Sequence, residues 1–210
     1  MEHEGALFKN NALIVFAKTP DSRVKTRIAR SAGADAAQRI YREMIDVTAA
    51  SIRTIPCHIA YTGGDSPGPL VSLFDNVVSW FEQEGDDLGA RMKNACLHCA
   101  RAGFSGCIVI GCDCPERPLD DIVQAARALE SGVDVVLGPA SDGGYHLAGV
   151  TGIGLGIFDV TDWSTDTVLR QTLDIAQKLG LKTLLLEPRS DIDTMEDYLR
   201  WKKTRPSSHR

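Results

Sequence analysis

The 210-residue sequence predicts an α/β fold, a mostly parallel, mixed sheet covered by helices on both faces. Three observations carry that expectation. Short apolar runs bounded by turn residues alternate with amphipathic stretches along the chain, the pattern of repeated strand–helix–strand units. Several runs, such as "ALIVF" and "CIVIG", are apolar at consecutive positions, as strands covered on both faces are. No repeat, low-complexity tract or linker interrupts the alternation. A single domain over 1–210 is therefore expected, with an ordered core over about 11–203.

In chain order, "NALIVFAK" (11–18), "CHIAYTG" (57–63), "NVVSWFEQ" (76–83), "GCIVIGCD" (106–113), "DVVLGPA" (134–140) and "LKTLLLEP" (181–188) are expected strands. "YHLAGV" (145–150) is a further short strand, reached through the tight "SDGG" turn, and it makes the sheet mixed. After the first strand, Ala37, Ile40, Tyr41, Met44, Ile45, Thr48 and Ile52 recur at three- and four-residue steps, one buried stripe of a helix. Helices are also expected over 87–102, 119–130, 164–179 and 194–202. Ser164 and Thr194 are expected N-caps, each with an acidic residue in the first turn, and Gly103 and Gly180 are expected C′ glycines. "TGGDSPGP" (62–69) reads as a turn and the tail "TRPSSHR" as a frayed end.

Charge narrows the function. Twenty-three basic against 28 acidic residues give a formal net charge of −5, which argues against general binding to nucleic acid or anionic membranes. A local basic cluster in such a chain points instead to a small anionic ligand. No apolar run reaches the roughly 18–20 residues of a membrane span, and "MEHEGALFKN" lacks a signal-peptide core, so a cytoplasmic location is expected. There Cys57, Cys96, Cys99, Cys107, Cys112 and Cys114 would be reduced. Cys96 and Cys99 have the spacing of a zinc half-site, but they lie in a helix-like run rather than a knuckle. Small buried thiols are the preferred reading.

In open α/β sheets, ligands bind beyond the carboxyl ends of the strands, so the residues after each apolar run carry the functional information. After the first strand comes "AKTPDSRVKTR" (17–27), where Lys18, Arg23, Lys25 and Arg27 precede or open a helix. Together they suit a di- or triphosphate. The loop has no glycine and matches neither phosphate-loop fingerprint; a solvated face paired with nearby acids is the other reading. After the third strand, "EQEGDDLGARM" offers Gln83 for a base edge, Gly85 and Gly89 for close backbone approach, and Arg91 one turn into a helix. A plain helix start with acidic residues explains the same stretch.

After the fourth strand, "VIGCDCP" puts Asp113 at the end of a buried run, a costly placement unless something pairs with it. Mg²⁺ suits it, since that ion takes one or two carboxylates and completes its shell with substrate phosphates; capping of the next helix is the alternative. Cys114 stands where a haloacid-type phosphatase needs a second Asp. After the fifth strand, "GPASDGGYHLAG" either lets Asp142 or Tyr145 orient an acceptor hydroxyl or is a simple hairpin turn. In "RSDIDTMEDYLR", Thr194 and Asp197 resemble a capping box, which leaves Asp193 as a candidate second carboxylate on a metal. The histidines show no ligand spacing, no "GxSxG" occurs, and His146 reads as a strand residue rather than a general base.

The blocks "LIVFAKTP…RVKTR", "QEGDDLGARM", "IGCDCP", "GPASDGGYHLAG", "WSTDTVL" and "DIDTMEDY", in this order over residues 11–200, resemble the glycosyltransferase-A-like family. This family is also called selenodomain-associated transferase 1 and belongs to the nucleotide-diphospho-sugar transferase superfamily. The sequence is also similar to phospholactate guanylyltransferases, and "DIDTMED" to the "DTPED" of sugar-acid cytidylyltransferases. The resemblance implies a three-layer α/β/α fold with a nucleotide over the strand ends. It further implies Asp113 and Asp193 as ligands of Mg²⁺ or Mn²⁺, and Arg23, Lys25 and Arg27 on the phosphates.

The expected function is a metal-dependent transferase acting on a nucleotide-activated substrate, first of all a glycosyltransferase with a nucleotide-diphospho-sugar donor and a small-molecule acceptor. Asp113, Lys25 and Asp142 are its expected catalytic residues. Lys18, Arg23, Lys25, Arg27, Gln83 and Arg91 are the expected nucleotide and phosphate contacts. Two other readings stay open: a nucleotidyltransferase that joins an NTP to a phosphorylated acceptor and releases pyrophosphate, and a nucleotide-binding protein without catalysis.

Overall fold

The computed structural model describes residues 7–20 and 23–204. Three expectations fall partly or wholly outside them: the signal-peptide reading at the N-terminus, the glycine-free turn at Asp21 and Ser22, and the frayed tail from 205 onward. The chain runs β1 (Asn11–Lys18), α1 (Thr26–Ala32), α2 (Ala34–Ser51), β2 (Cys57–Thr62), α3 (Gly68–Val71), β3 (Val77–Glu82) and α4 (Leu88–Arg101). It continues through β4 (Gly106–Gly111), α5 (Leu119–Glu130), β5 (Val135–Pro139), β6 (Tyr145–Thr151) and a 3₁₀ helix (Gly152–Phe158). It closes with α6 (Val168–Lys178), β7 (Thr183–Leu185) and α7 (Met195–Thr204).

The strands form a seven-stranded sheet in the order β3-β2-β1-β4-β6-β5-β7. β6 is antiparallel to β4 and β5, and the other neighbours are parallel. β1 sits between β2 and β4, with Phe16 level with both Ala60 and Gly111.

Alternation along each strand feeds two cores. Leu13 and Val15 of β1, Ile108 and Ile110 of β4 and Val136 of β5 join Tyr41 and Ile45 of α2 and Ile122, Ala126 and Leu129 of α5 on one face. Ala12 and Ile14, Cys107 and Val109, and Val135 and Leu137 join Met92, Ala95 and Cys96 of α4, Phe158, and Ala176 of α6 on the other. Helices therefore cover both faces, and the three-layer α/β/α architecture is the one expected. Each fully buried Leu or Ile contributes roughly 1.5–3 kcal/mol to this arrangement. A third cluster of Ile28, Met44, Ile192 and Trp201 docks α7 against α1 and α2, which brings the end of the chain back beside β1.

The local signals mostly act as expected. The α2 stripe is buried from Ala37 to Thr48. Gly103 and Gly180 adopt φ values of 101° and 67° just past α4 and α6. Thr194 and Asp197 cap α7 reciprocally: Thr194 N donates to Asp197 Oδ2 (2.9 Å) and Asp197 N to Thr194 Oγ1 (3.2 Å).

Three boundaries differ. The helix expected from 164 begins at Val168, and Ser164 is no cap but a left-handed residue with φ 67°. Thr165 Oγ1 donates to the Asp162 carbonyl and is 2.9 Å from Thr167 Oγ1, so hydroxyl contacts hold this stretch out of the helix. The strand expected over 181–188 is only Thr183–Leu185, because Pro188 has no N–H for the ladder; pairing resumes as a single bridge between Ala140 and Arg189. The turn over 62–69 gives way at Gly68 to the one-turn helix α3.

Gly89 permits a close approach between α4 and the segment before α6. A Cβ there would meet the Phe158 carbonyl oxygen and stand 2.5 Å from Trp163 Nε1. Gly89→Ala should therefore destabilise the protein by about 1–3 kcal/mol through overpacking. The urea midpoint should fall with an unchanged slope; an unaltered midpoint would show that this contact relaxes freely.

Candidate functional site

A cavity of about 800 Å³ opens at the carboxyl ends of the central strands. The loop after β1 lines it with Lys18, Arg23, Lys25 and Arg27, Gln83 enters from the β3–α4 connection, and Arg91 enters from the first turn of α4. Asp113 follows β4, Asp142 stands in the β5–β6 turn, and Asp193 precedes α7. These nine charged and polar residues thus reach one cavity, whereas Gly85 and Gly89 do not line it and instead face Ala90 and Arg91, and Phe158 and Trp163.

Lys25 is the centre of the arrangement. It precedes α1 in a left-handed conformation, φ 44°. Its Nζ lies 2.9 Å from Asp113 Oδ1 and 3.1 Å from Asp193 Oδ1, while Arg27 reaches Asp193 Oδ2 at 3.5 Å. The Lys25 side chain is 5% exposed, against 54% for Asp113 and 42% for Asp193. Burial alone would depress the lysine pKa, but the two carboxylates outweigh it and hold the ammonium above its ordinary value.

Two neighbouring bonds fix the frame. Tyr41 Oη accepts from the backbone N–H of Lys18 (2.9 Å), and Ile192 N donates to the Asp113 carbonyl (2.9 Å). The basic loop is paired with acids, as its second reading held, but Lys25 and Arg27 meet those acids inside the cavity. Asp113 does not cap a helix, since α5 opens at Leu119 behind Pro118.

The rim residues are held by local bonds. Gln83 Nε2 donates to the Ala60 carbonyl (2.9 Å), Arg91 Nε to Gly85 (3.0 Å) and Arg23 to Gly63 (3.0 Å). Asp87 caps α4 by accepting from Ala90 N (2.7 Å), so the helix-start reading also holds. Asp142 Oδ1 accepts from Gly144 N (2.9 Å), and Ala140 N donates to the Gly144 carbonyl (3.0 Å). The hairpin turn and the cavity-lining position of Asp142 therefore coexist. Gly143, φ 89°, lies so close to the Asp166 backbone that no Cβ fits.

Three features were missed in the sequence. Asp191 lines the cavity with Oδ1 buried and without a hydrogen-bond partner. Burial first, then the charges of Asp113 and Asp142, push its carboxyl up to about 7, against the opposing pull of Lys25. Its only signal was the repeated Asp of "SDIDT". Trp163, Ser164, Thr165 and Asp166, which the sequence offered as part of a family block without a role at the site, also line the cavity, with Tyr145 edge-on to Trp163 at 6.2 Å. The third is Arg117, buried below the floor, where it donates to the Gly111 (3.2 Å) and His146 (3.3 Å) carbonyls and ties β4 to β6. An Arg in "CPERP" carries no sequence signal of burial. His146 is a buried β6 residue whose ring is pushed down to about 4 by burial and by Arg117.

Among the described residues no group of three or more His, Cys, Asp or Glu side chains is placed to hold a metal ion. Asp113 and Asp193 nevertheless already share one cation, the Lys25 ammonium. An ion such as Mg²⁺ that takes two carboxylates and substrate phosphate oxygens needs no third protein ligand, so this pair fits it. The six cysteines are free and buried, and burial pushes Cys57 up to about 12, as expected of small core thiols. Among the described residues no helix is long and apolar enough to cross a membrane.

Comparison with solved structures places the fold. A candidate nucleotide-diphospho-sugar transferase from Desulfovibrio desulfuricans G20 is 28% identical and superimposes with a TM-score of 0.86, covering 95% of this chain and 89% of its own. A cytidylyltransferase from Leptospira borgpetersenii serovar Hardjo-bovis (15% identity, TM-score 0.58, 92% and 85% covered) has the same fold. So does the manganese complex of Rv0371C from Mycobacterium tuberculosis H37Rv (14% identity, TM-score 0.54, 93% and 100% covered). The nucleotide-diphospho-sugar transferase fold implied by the sequence resemblance is therefore the fold of this chain. No curated protein matches the sequence. Residues 44–165, more than half of its length, match a family described as an uncharacterized protein conserved in bacteria, and the chain belongs to that family, DUF2064.

Proposed function

We propose that this protein is a divalent-metal-dependent transferase acting on a nucleotide-activated substrate, and that it moves a glycosyl group from a nucleotide-diphospho-sugar to a small-molecule acceptor. One observation carries the reading: Lys18, Arg23, Lys25, Arg27 and Arg91 share a cavity with the Asp113–Asp193 pair. The transferases that share the fold support a nucleotide as the ligand.

Asp113 and Asp193 would hold the ion, which when bound offsets charge on the departing diphosphate. The manganese complex among the structural relatives supports such an ion. The basic side chains gather positive charge in the same cavity, where it would offset negative charge developing on the phosphates. Gln83 lies beside the β2–β3 edge of the cavity, where a base would sit, and its Oε1 can accept from one. Asp142 faces in from the hairpin opposite, where it would orient the acceptor hydroxyl.

Nucleotidyl transfer is the second reading, and the number of cations favours it. Five basic side chains exceed what a sugar diphosphate needs and suit a triphosphate. Release of pyrophosphate from an NTP and a phosphorylated acceptor would select this reading. Release of a nucleoside diphosphate from a nucleotide sugar would select glycosyl transfer. Nucleotide binding with neither product would select the non-catalytic reading.

Two results are expected beyond the product assay. A nucleotide at about 100 times its dissociation constant should stabilise the protein by about 2.7 kcal/mol in a thermal-shift panel run with and without Mn²⁺. Asp113→Asn should remove the metal dependence of that shift while the free protein still melts cooperatively. A panel without any shift would overturn the reading.

The second result concerns Asp191. Its carboxyl holds a proton more tightly in the fold than in the unfolded chain, where the pKa is about 3.9. Its contribution to stability is therefore favourable at acid pH and declines as pH rises from about 4 through about 7. Asp191→Asn should flatten the loss of stability between pH 5 and pH 8 measured by urea unfolding; an unchanged profile would refute the assignment.

A further inference from the structure

The Lys25 ammonium stands where a cation shared by Asp113 and Asp193 must stand, 2.9 Å and 3.1 Å from their Oδ1 atoms. A divalent ion held by this pair would have to displace it. The backbone around it is anchored, with Val24 2% exposed and Ile28 fully buried, so displacement falls to the long, flexible side chain. Arg27, on Asp193 Oδ2 at 3.5 Å, is engaged by the same carboxylate. Two of the loop's cations are thus turned towards carboxylates rather than towards a phosphate.

We propose that Lys25 is a displaceable counter-ion. In the nucleotide-free protein it holds Asp113 and Asp193 in register and competes with the divalent ion. When ion and nucleotide arrive together, the ion takes the carboxylates and Lys25 turns to the phosphates. The ion and the nucleotide are thereby coupled through one side chain, and the coupling is reciprocal: each tightens the binding of the other. This rests on the metal site of the proposed function and adds to it a reason for the protein to bind the ion weakly until its substrate is present.

The test is Mn²⁺ titration of the nucleotide-free, full-length protein, followed through the electron paramagnetic resonance of free Mn²⁺. Lys25→Met keeps the stem and removes the charge. It should bind Mn²⁺ at least about tenfold more tightly than wild type, within the usual range of coupling between sites. A loss of structure alone would weaken binding, so the direction of the change is diagnostic. Equal or weaker binding by Lys25→Met overturns the proposal.

Asp113→Asn separates the inference from the reading beneath it. If it abolishes Mn²⁺ binding while Lys25→Met has no effect, the counter-ion role falls and the metal site stands. If it leaves Mn²⁺ binding unchanged, both fall. An NMR measurement on wild type needs no variant: the Lys25 ammonium resonance should shift when Mg²⁺ and a nucleoside diphosphate are added together. A resonance that stays in place while both bind would also overturn the proposal.

Discussion

The contact of Lys25 with Asp113 and Asp193 joins three segments that are remote in sequence: the loop after β1, the turn after β4, and the stretch before α7. Two of them meet because β1 and β4 are parallel neighbours whose ends emerge side by side. The third is brought in by Ile192, which packs with Ile28 and Trp201 and donates its N–H to the Asp113 carbonyl. A cluster of one buried cation and two half-exposed carboxylates is a weak source of stability, because desolvation of Lys25 and solvent screening of the carboxylates offset much of the attraction. Its consequence is positional: it fixes two carboxylates and a cation at the mouth of one crevice.

The sheet order explains why the crevice lies there. The chain builds outward from β1 through β2 to β3, then returns to add β4 on the other side. The crossovers therefore diverge between β1 and β4, the place where open α/β sheets leave room for a ligand. Below that opening Arg117 ties Gly111 to His146 and steadies the strand end from which Asp113 projects. Around it Asp113, Asp142, Asp191 and Asp193 face the cations of the same cavity, and burial, followed by the charges of Asp113 and Asp142, makes Asp191 keep its proton to higher pH. A site poised in this way gains most from a ligand that brings both a cation and an anion, which a metal–nucleotide pair does.

Much of this was legible in the sequence for local reasons. β1 and β4 are continuous apolar runs, and the α2 stripe has an unambiguous helical period, so their places and faces were readable. Asp113 stood out because a carboxylate at the end of a buried strand needs a partner. The identity of that partner was not readable, because it depends on how separate segments meet in space. Lys25 stood out from the other cations of its loop only as an expected catalytic residue, and its place between two aspartates emerged with the fold. Arg117 and Asp191 were hidden for the same reason: burial of a charged side chain is a tertiary fact with no local pattern. The start of α6 was misplaced because side-chain hydroxyl contacts around Thr165 compete with the helix that its acidic neighbours suggested.

In the proposed function the carboxylate pair and the loop after β1 act together on the two halves of one ligand, ion and phosphate. A crystal structure with Mn²⁺ and a nucleoside diphosphate, with the ion located by its anomalous scattering, tests this most directly. The ion is expected on Asp113 and Asp193, with the diphosphate facing Lys25 and Arg23. An ion held elsewhere in the cavity, or a diphosphate turned away from that loop, would contradict it.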